Sequence, residues 1–388
     1  MRPAASSAVD RLRVIVAGMV AGDPFQGGAS WAVLQYVEGL RRMGHDVVFV
    51  EPVRREALRP AGATLAESEN ARYFSSLPFV GRDERSALLV ADSDETVGIP
   101  YSQLVELAQH ADLLLNLSGL LRDERLMAAV PKRVFVDLDP GFNQVWSLAG
   151  HDLGLERHDV HVTVGLRVGK PGCHVPTCGL QWTHSLPPVV LEHWPGAGEP
   201  TRNAFTTIGN WRSYGSIEHR GVEYGQRAHS FRRLFELPRL TAATFEPALA
   251  IHRDEERDLR ALREHGWHLV DSVDVAGTPA RYANFIRSSK AELGVPKLGY
   301  VASRSGWFSD RTACYLAAGR PALCWDTGFS LEVETGAGLL TFEDVAGAAA
   351  GVAQIESDWA SHSAAARALA EERFDSRKVL GRLLERCL

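Results

Sequence analysis

Residues 300–329, YVASRSGWFSDRTACYLAAGRPALCWDTGF, constrain the fold more tightly than any other part of the chain. The opening residues predict a strand that turns at Arg304-Ser305-Gly306-Trp307. Residues 312–318 have the Ala and Leu content of a buried helix, and Ser309 or Asp310 can accept a hydrogen bond from a free amide of its first turn. Gly319 supplies a helix stop, Arg320-Pro321 blocks continuation, and residues 322–325 read as the next strand, ending at Asp326-Thr327-Gly328. Unpaired amides at such a helix start attract phosphate, and the loop after the second strand opens onto the same edge of a parallel sheet. The pattern suits a small-molecule site, with a diphosphate among its ligands. In the plainer reading Gly306 only allows a turn, and Gly319 with Pro321 only ends a core helix.

A chain of 388 residues with 45% hydrophobic composition can bury two sizeable cores, since a usual domain has about 100–200 residues. The formal charge of -6 and the lack of a basic block argue against nucleic acid as a partner. The first ten residues are small and polar, and the apolar run at 14–19 is far too short for an integral membrane segment, so a cytoplasmic protein is expected. Cys173, Cys178, Cys314, Cys324 and Cys387 do not resemble a disulfide framework. The five-residue spacing of Cys173 and Cys178 is looser than a zinc knuckle, and no second pair follows, so no metal is expected.

From the beginning, residues 12–17 read as a strand and residues 18–28 as a flexible glycine-rich loop. Ser30 is placed to cap a helix whose Trp31, Leu34, Val37 and Leu40 form one apolar face. Residues 47–50 give the next strand, so the opening unit is βαβ, with its loop at the carboxyl edge of the sheet. That loop lacks the G-x-G-x-x-G spacing of a dinucleotide fingerprint, which weakens an NAD-linked reading. Asp23 is its ionisable group, a base candidate or a turn residue. Residues 54–105 are mixed, with helices and a mobile acceptor loop expected. Residues 111–117 and 133–136 read as strands, the latter running into Asp137-Leu138-Asp139-Pro140-Gly141. Asp137 and Asp139 would share one side of a continuing strand and serve as base candidates, or Asp139-Pro140-Gly141 begins a turn.

Residues 194–202 are rich in Pro, Gly and polar residues and form the expected domain boundary. Beyond them, residues 204–208 read as a strand stopping at Gly209-Asn210-Trp211, where glycine permits close ligand approach and Arg212 can neutralise phosphate. Residues 268–270 suggest a short strand and residues 255–265 a sheet-covering helix. Residues 361–374 read as a further helix, and Val379, Leu380, Leu383 and Leu384 form an apolar face on the last one. The organisation expected is α/β throughout: 1–194, 203–370, and a terminal helix at 371–388 able to dock back on the first unit.

With Gly209-Asn210-Trp211 and residues 306–328 in this order, the chain resembles the glycosyltransferases of the GT-B architecture, two Rossmann-like domains facing across a central cleft. The resemblance covers most of residues 12–385. It implies that the second domain holds a nucleoside-diphosphate sugar, UDP or TDP favoured, and that the first holds a small-molecule or glycan acceptor. Asp326 then matches the acidic residue that contacts donor-sugar hydroxyls, and Arg212 the basic residue at the diphosphate. Two features depart from the pattern: Cys314 stands where many retaining members carry the second of two glutamates, Gly306 lying eight residues earlier, and no histidine follows the first strand.

Metal-free transfer would draw on the amides near Ser305, Gly306, Ser309, Asp310, Arg311 and Thr312, with Arg212 or Arg304, for the leaving diphosphate. Gly209, Asn210, Thr327 and Gly328 complete the expected donor contacts. Asp23, Asp137 or Asp139 would take the acceptor proton in an inverting reaction. A sugar-nucleotide epimerase or hydrolase and a noncatalytic sugar-binding protein are the alternatives, and a homodimer is compatible with the sequence.

Overall fold

The computed structural model describes residues 11–80, 85–196 and 198–388. The polar first ten residues lie outside them. In the first half, β1 (Arg13–Ala17), α1 (Gly27–Arg42) and β2 (Asp46–Val53) form the opening βαβ unit. There follow α2 (Glu69–Ser76), β3 (Ser86–Val90), β4 (Thr96–Gly98), α3 (Tyr101–Gln109), β5 (Leu113–Leu117), α4 (Glu124–Ala129), β6 (Arg133–Asp137), α5 (Phe142–Leu148), β7 (Val160–Thr163) and β8 (Trp182–His184). These strands form one eight-stranded sheet in the order β4-β3-β2-β1-β5-β6-β7-β8, parallel except for the edge strand β4. Its central strands are apolar on both faces because helices cover both sides, as a parallel sheet requires.

The second half opens with β9 (Arg202–Asn210), a small hairpin of β10 (Ile217–His219) and β11 (Val222–Tyr224), then α6 (Arg227–Arg232) and α7 (Leu237–Leu240). Next come β12 (Phe245–Ala250), α8 (Glu256–Glu264), α9 (Ser272–Ala276), α10 (Pro279–Ser288), β13 (Ser289–Gly294), α11 (Leu298–Ala302), α12 (Asp310–Ala317), β14 (Ala322–Trp325) and β15 (Leu339–Phe342). Helices α13 (Val345–Ser357), α14 (Trp359–Leu369) and α15 (Ser376–Cys387) complete the chain. The second sheet is fully parallel, in the order β12-β9-β13-β14-β15.

The two α/β lobes share one apolar core that runs from β1 and α1 through α10 and α12 to α15. Trp31 packs at 5.2 Å between ring centroids on Trp194, and its indole N–H donates to the Pro279 carbonyl at 2.8 Å, tying α1 to the second lobe. The terminal helix lies against α1 at Gly39, where a Cβ would come within 2.6 Å of Leu380. Glycine there sets how closely the two helices approach.

Several local expectations are corrected. The strand before the key stretch is β13, and residues 298–302 are a helical turn, because Pro296 removes a ladder donor just after the strand and ends it. Ser30 does not cap α1. The chain reverses at Phe25, the helix starts three residues before Ser30, and the Ser30 hydroxyl bonds back to the Gln26 carbonyl at 3.2 Å. Ser309 sits at the N-cap of α12 but does not cap it with its side chain. Residues 54–105 hold the expected helices, α2 and the start of α3, and in addition two strands, β3 and β4, that the sequence pattern does not reveal. Residues 268–270 form no strand, although His268 and Val270 donate to the Phe245 and Pro247 carbonyls along the sheet edge.

Candidate functional site

Where the carboxyl ends of the two sheets face each other, β6 ends at Asp137 and the chain turns through Asp139-Pro140-Gly141. Asp137 and Asp139 therefore do not share a continuing strand. Asp137 is fully buried and accepts hydrogen bonds from Asn143 (2.7 Å), Gln144 (2.8 Å) and Thr163 (2.8 Å), and from the Asp139 amide (3.1 Å). Burial pushes its pKa up, against the pull of those donors. With its lone pairs occupied it works as a clamp, holding the turn that projects Asp139 toward the second lobe.

Asp139 meets three side chains of that lobe. The Lys297 ammonium, just beyond β13, lies 2.9 Å from its Oδ2, and the Tyr214 and Tyr300 hydroxyls both donate to it. Lys297 is also bonded to the Tyr214 hydroxyl and sits over the rings of Tyr214 (4.1 Å) and Phe142 (4.9 Å), contacts that favour a desolvated cation. Burial lowers the Lys297 pKa while Asp139 holds it up. Burial and the neighbouring carboxylates push both tyrosine pKa values far upward, so the hydroxyls stay donors. Trp307 stacks on Tyr300 at 4.3 Å and fixes its ring.

Beside this cluster lies Arg227, the first residue of α6 and 8% exposed. Its Nη1 donates to the Val295 carbonyl at 2.9 Å, its Nε has no hydrogen-bond partner, and no carboxylate pairs with it among the described residues. Gly209 makes the position available, since a Cβ there would stand 2.8 Å from the guanidinium carbon. Burial, and next the charge of Arg311, lower its pKa to about 9, so it remains a cation at neutral pH. Its charge also lowers that of Lys297. The Glu292 and Asp310 carboxylates act on it only from a distance; a buried cation without a directly paired anion is costly, and an arriving anion relieves that cost.

The donor residues expected from the sequence are distributed differently. Gly209 and Asn210 end β9 at this edge. Arg212 pairs with Glu255 on the rim. Arg304 is exposed. The amides of Ser305 and Trp307 are already bonded to Tyr300 and Ser305 and that of Gly306 to the Thr327 carbonyl in the loop after β14, and the Ser305 and Gly306 carbonyls accept from Arg167 and Leu166 of the first lobe. Ser309, Asp310 and Thr312 lie at the start of α12, where Thr312 contacts the Cys324 sulfur. Arg311 is turned inward, 2.7 Å from Glu292 and 2.7 Å from the Ile208 carbonyl. Asp326 closes its own turn through Gly328 and Ser330, and Thr327 bonds the Trp307 carbonyl. Asp23 is half-buried and paired with Arg59 at 2.6 Å.

Asp310 lines a cavity of about 70 Å³ between the lobes, walled by Trp31, Gln35, Tyr36, Trp307 and Cys314. Burial raises its pKa. Among the described residues no group of three or more His, Cys, Asp or Glu side chains is arranged to hold a metal ion, and no helix is long and apolar enough to cross a membrane.

Sequence reasoning missed Lys297, Tyr214, Tyr300 and Arg227. The edge rule that selected Asp137 and Asn210 also selects Lys297 once β13 is placed at Ser289–Gly294. Arg227 carries no comparable signal, because its role depends on the space left by Gly209.

No protein-family model matches the chain, and no curated protein matches it. Solved structures do. An alpha-glucosyltransferase in complex with UDP and a 13-mer DNA is 12% identical, with a TM-score of 0.60 over 97% of this chain and 99% of that one. Sucrose-phosphate synthase from Thermosynechococcus elongatus is 14% identical, with a TM-score of 0.58 over 96% and 98%. Anabaena HepE in complex with UDP and glucose is 11% identical, with a TM-score of 0.55 over 97% and 99%. The chain has the GT-B fold of these proteins, two Rossmann-like lobes with a central cleft, diverged far in sequence. The exclusion of nucleic acid as a partner is corrected, since several structures of this fold are alpha-glucosyltransferases in complex with DNA. Net charge averages over the whole surface and does not describe one face of it.

Proposed function

We propose that the protein is a glycosyltransferase that moves a sugar from a nucleoside-diphosphate donor, UDP- or TDP-linked, to a small-molecule or glycan acceptor. The observation that carries this reading is Arg227, a buried guanidinium with no carboxylate paired to it among the described residues, beside Lys297 at the carboxyl edge of the second sheet. Neighbours of the same fold in complex with UDP support the choice of anion. During transfer the bond from the anomeric carbon to the phosphate oxygen breaks while the acceptor oxygen forms its own bond to that carbon. Negative charge then gathers on the leaving diphosphate, where Arg227 and Lys297 stabilise it. As the diphosphate takes the Lys297 ammonium, Asp139 is released at the end of β6 to accept the acceptor's proton. Gly209, Asn210, Ser309 and Asp310 stay in the donor-side proposal, while Arg311 and Asp326 support the loops that carry it.

Protection against thermal unfolding by UDP, TDP, GDP, ADP, CDP and NAD tests the reading, because a ligand that prefers the folded state raises its stability. A selective UDP or TDP response, followed by product from the matching sugar donors in an acceptor screen, is expected. Donor consumption that ignores every acceptor would favour a hydrolase, and silence across all six nucleotides would remove the donor-site assignment.

A further inference from the structure

Away from the cleft, a groove of about 490 Å³ runs between the edge strand β8, the loop after β7 and the terminal helix α15. Its size lies within the range of small-molecule sites, roughly 300–1,000 Å³. Four basic side chains line it, Lys170, Arg373, Arg382 and Arg386, against one carboxylate, Glu332. That carboxylate is already engaged, 2.7 Å from Lys170 and 3.0 Å from Arg167. Arg373 donates to the Glu332 backbone carbonyl and Arg386 to the His184 carbonyl, so both guanidiniums are positioned while keeping their charge uncompensated. Arg382 has no partner among the described residues. Burial lowers the His184 pKa, which leaves that ring neutral at pH 7.

The floor has a different character. Leu166, Leu186, Val379 and Leu383 present apolar surface beneath the basic rim. On a protein of formal charge -6, this concentration of positive charge over an apolar floor is local and specific in chemistry. Guanidinium forks match phosphate oxygens in pairs, and a dianion answers the excess charge better than a single carboxylate does.

We propose that this groove binds a phosphate monoester carried on an apolar body, the phosphate between Arg382, Arg386 and Lys170 and the apolar part on the leucine and valine floor. The site is separate from the cleft and does not depend on the glycosyltransferase reading. Its ligand would touch the first lobe through Lys170, Leu166 and Leu186, and α15 through Arg382 and Arg386.

Phenyl phosphate is the soluble probe, measured by calorimetry on the full chain, with phenol and inorganic phosphate as its two halves. Binding is expected to be at least fivefold tighter for phenyl phosphate than for either half, and at least tenfold weaker in the Arg382→Ala/Arg386→Ala double variant. The Lys297→Ala variant should bind it as the wild type does, which separates the groove from the cleft. Sedimentation with phosphatidic acid vesicles, whose headgroup is itself a phosphate monoester, but not with phosphatidylcholine vesicles, would support the site with a lipid headgroup as its source. Calorimetric binding without sedimentation would support it with a soluble ester. Absence of both, or binding unchanged in the double variant, would overturn the proposal.

Discussion

Lys297 and Asp139 stand 158 residues apart in the chain and 2.9 Å apart in the fold, joined across the two lobes. Each belongs to a segment leaving the carboxyl end of a strand, β13 and β6, so the contact exists only because two sheets present those edges to each other. Two tyrosine hydroxyls complete the cluster, Tyr214 on the same carboxylate oxygen as Lys297 and Tyr300 on the other. The pair holds a cation of the second lobe and a carboxylate of the first against one another.

Replacing Lys297 by Ala removes one of the two cations assigned to the diphosphate. UDP affinity should fall by tenfold or more, about 1.4 kcal/mol, as read by calorimetry. Unaltered affinity in a folded variant would exclude Lys297 from the donor site.

Asp139→Asn acts in the opposite direction on binding. The carboxylate competes with the diphosphate for Lys297, so the variant should bind UDP severalfold more tightly. It should also lose about 1–3 kcal/mol of stability, because a desolvated ammonium keeps only neutral partners. Weaker UDP binding would show that Asp139 helps to hold the donor.

Gly209→Ala separates stability from binding at Arg227. The added Cβ meets the end of a long side chain, so the stability cost should be at most about 1 kcal/mol, the low end for overpacking. The guanidinium must nevertheless move, and thermal protection by UDP should largely disappear. A variant with full UDP protection would remove Arg227 from the site.

Arg311→Met tests the inward-facing pair. It strands the buried Glu292 carboxylate and should cost about 3–5 kcal/mol in urea unfolding. The Arg311→Met/Glu292→Gln double variant should recover part of that loss. If Arg311 instead contacts the donor, UDP binding will fall in both variants by more than stability explains.

The glycine-rich loop after β1 hangs on Glu51, fully buried and accepting from the Ala21 amide at 2.9 Å and the Gly22 amide at 2.5 Å. Burial raises its pKa to about 7, despite those amides. A raised folded-state value means that its contribution is complete below the unfolded pKa near 4.5 and is lost as pH rises through about 7. Between pH 4.5 and 8, Glu51→Gln should gain about 3 kcal/mol relative to wild type in denaturant unfolding. A pH-independent difference between the two proteins would contradict this origin.

Much of the architecture was legible in the sequence because it is written in local periodicity. The β14 segment, residues 322–325, shows apolar continuity bounded by Gly319-Arg320-Pro321 and Asp326-Thr327-Gly328, and the structure has a strand with those limits. The apolar stripe of α1 and the alternation of strands with helices likewise require covered parallel sheets. Residues 298–302 misled because a short apolar run fits a strand or a helical turn equally well, and Pro296 decides only in context.

What the sequence by itself determined is therefore the class of fold and the strand edges at which a ligand meets the chain. Only the tertiary structure decided which polar side chains at those edges remain open. Asp137, Arg311 and Asp326 looked like site residues, and each is occupied by partners that periodicity does not reveal. Arg227 looked unremarkable, and the space at Gly209 leaves it buried with no carboxylate paired to it among the described residues. Local patterns fix which way a segment runs and which face it buries, whereas the pairing of charges is settled by segments far apart in sequence when the two lobes close on each other.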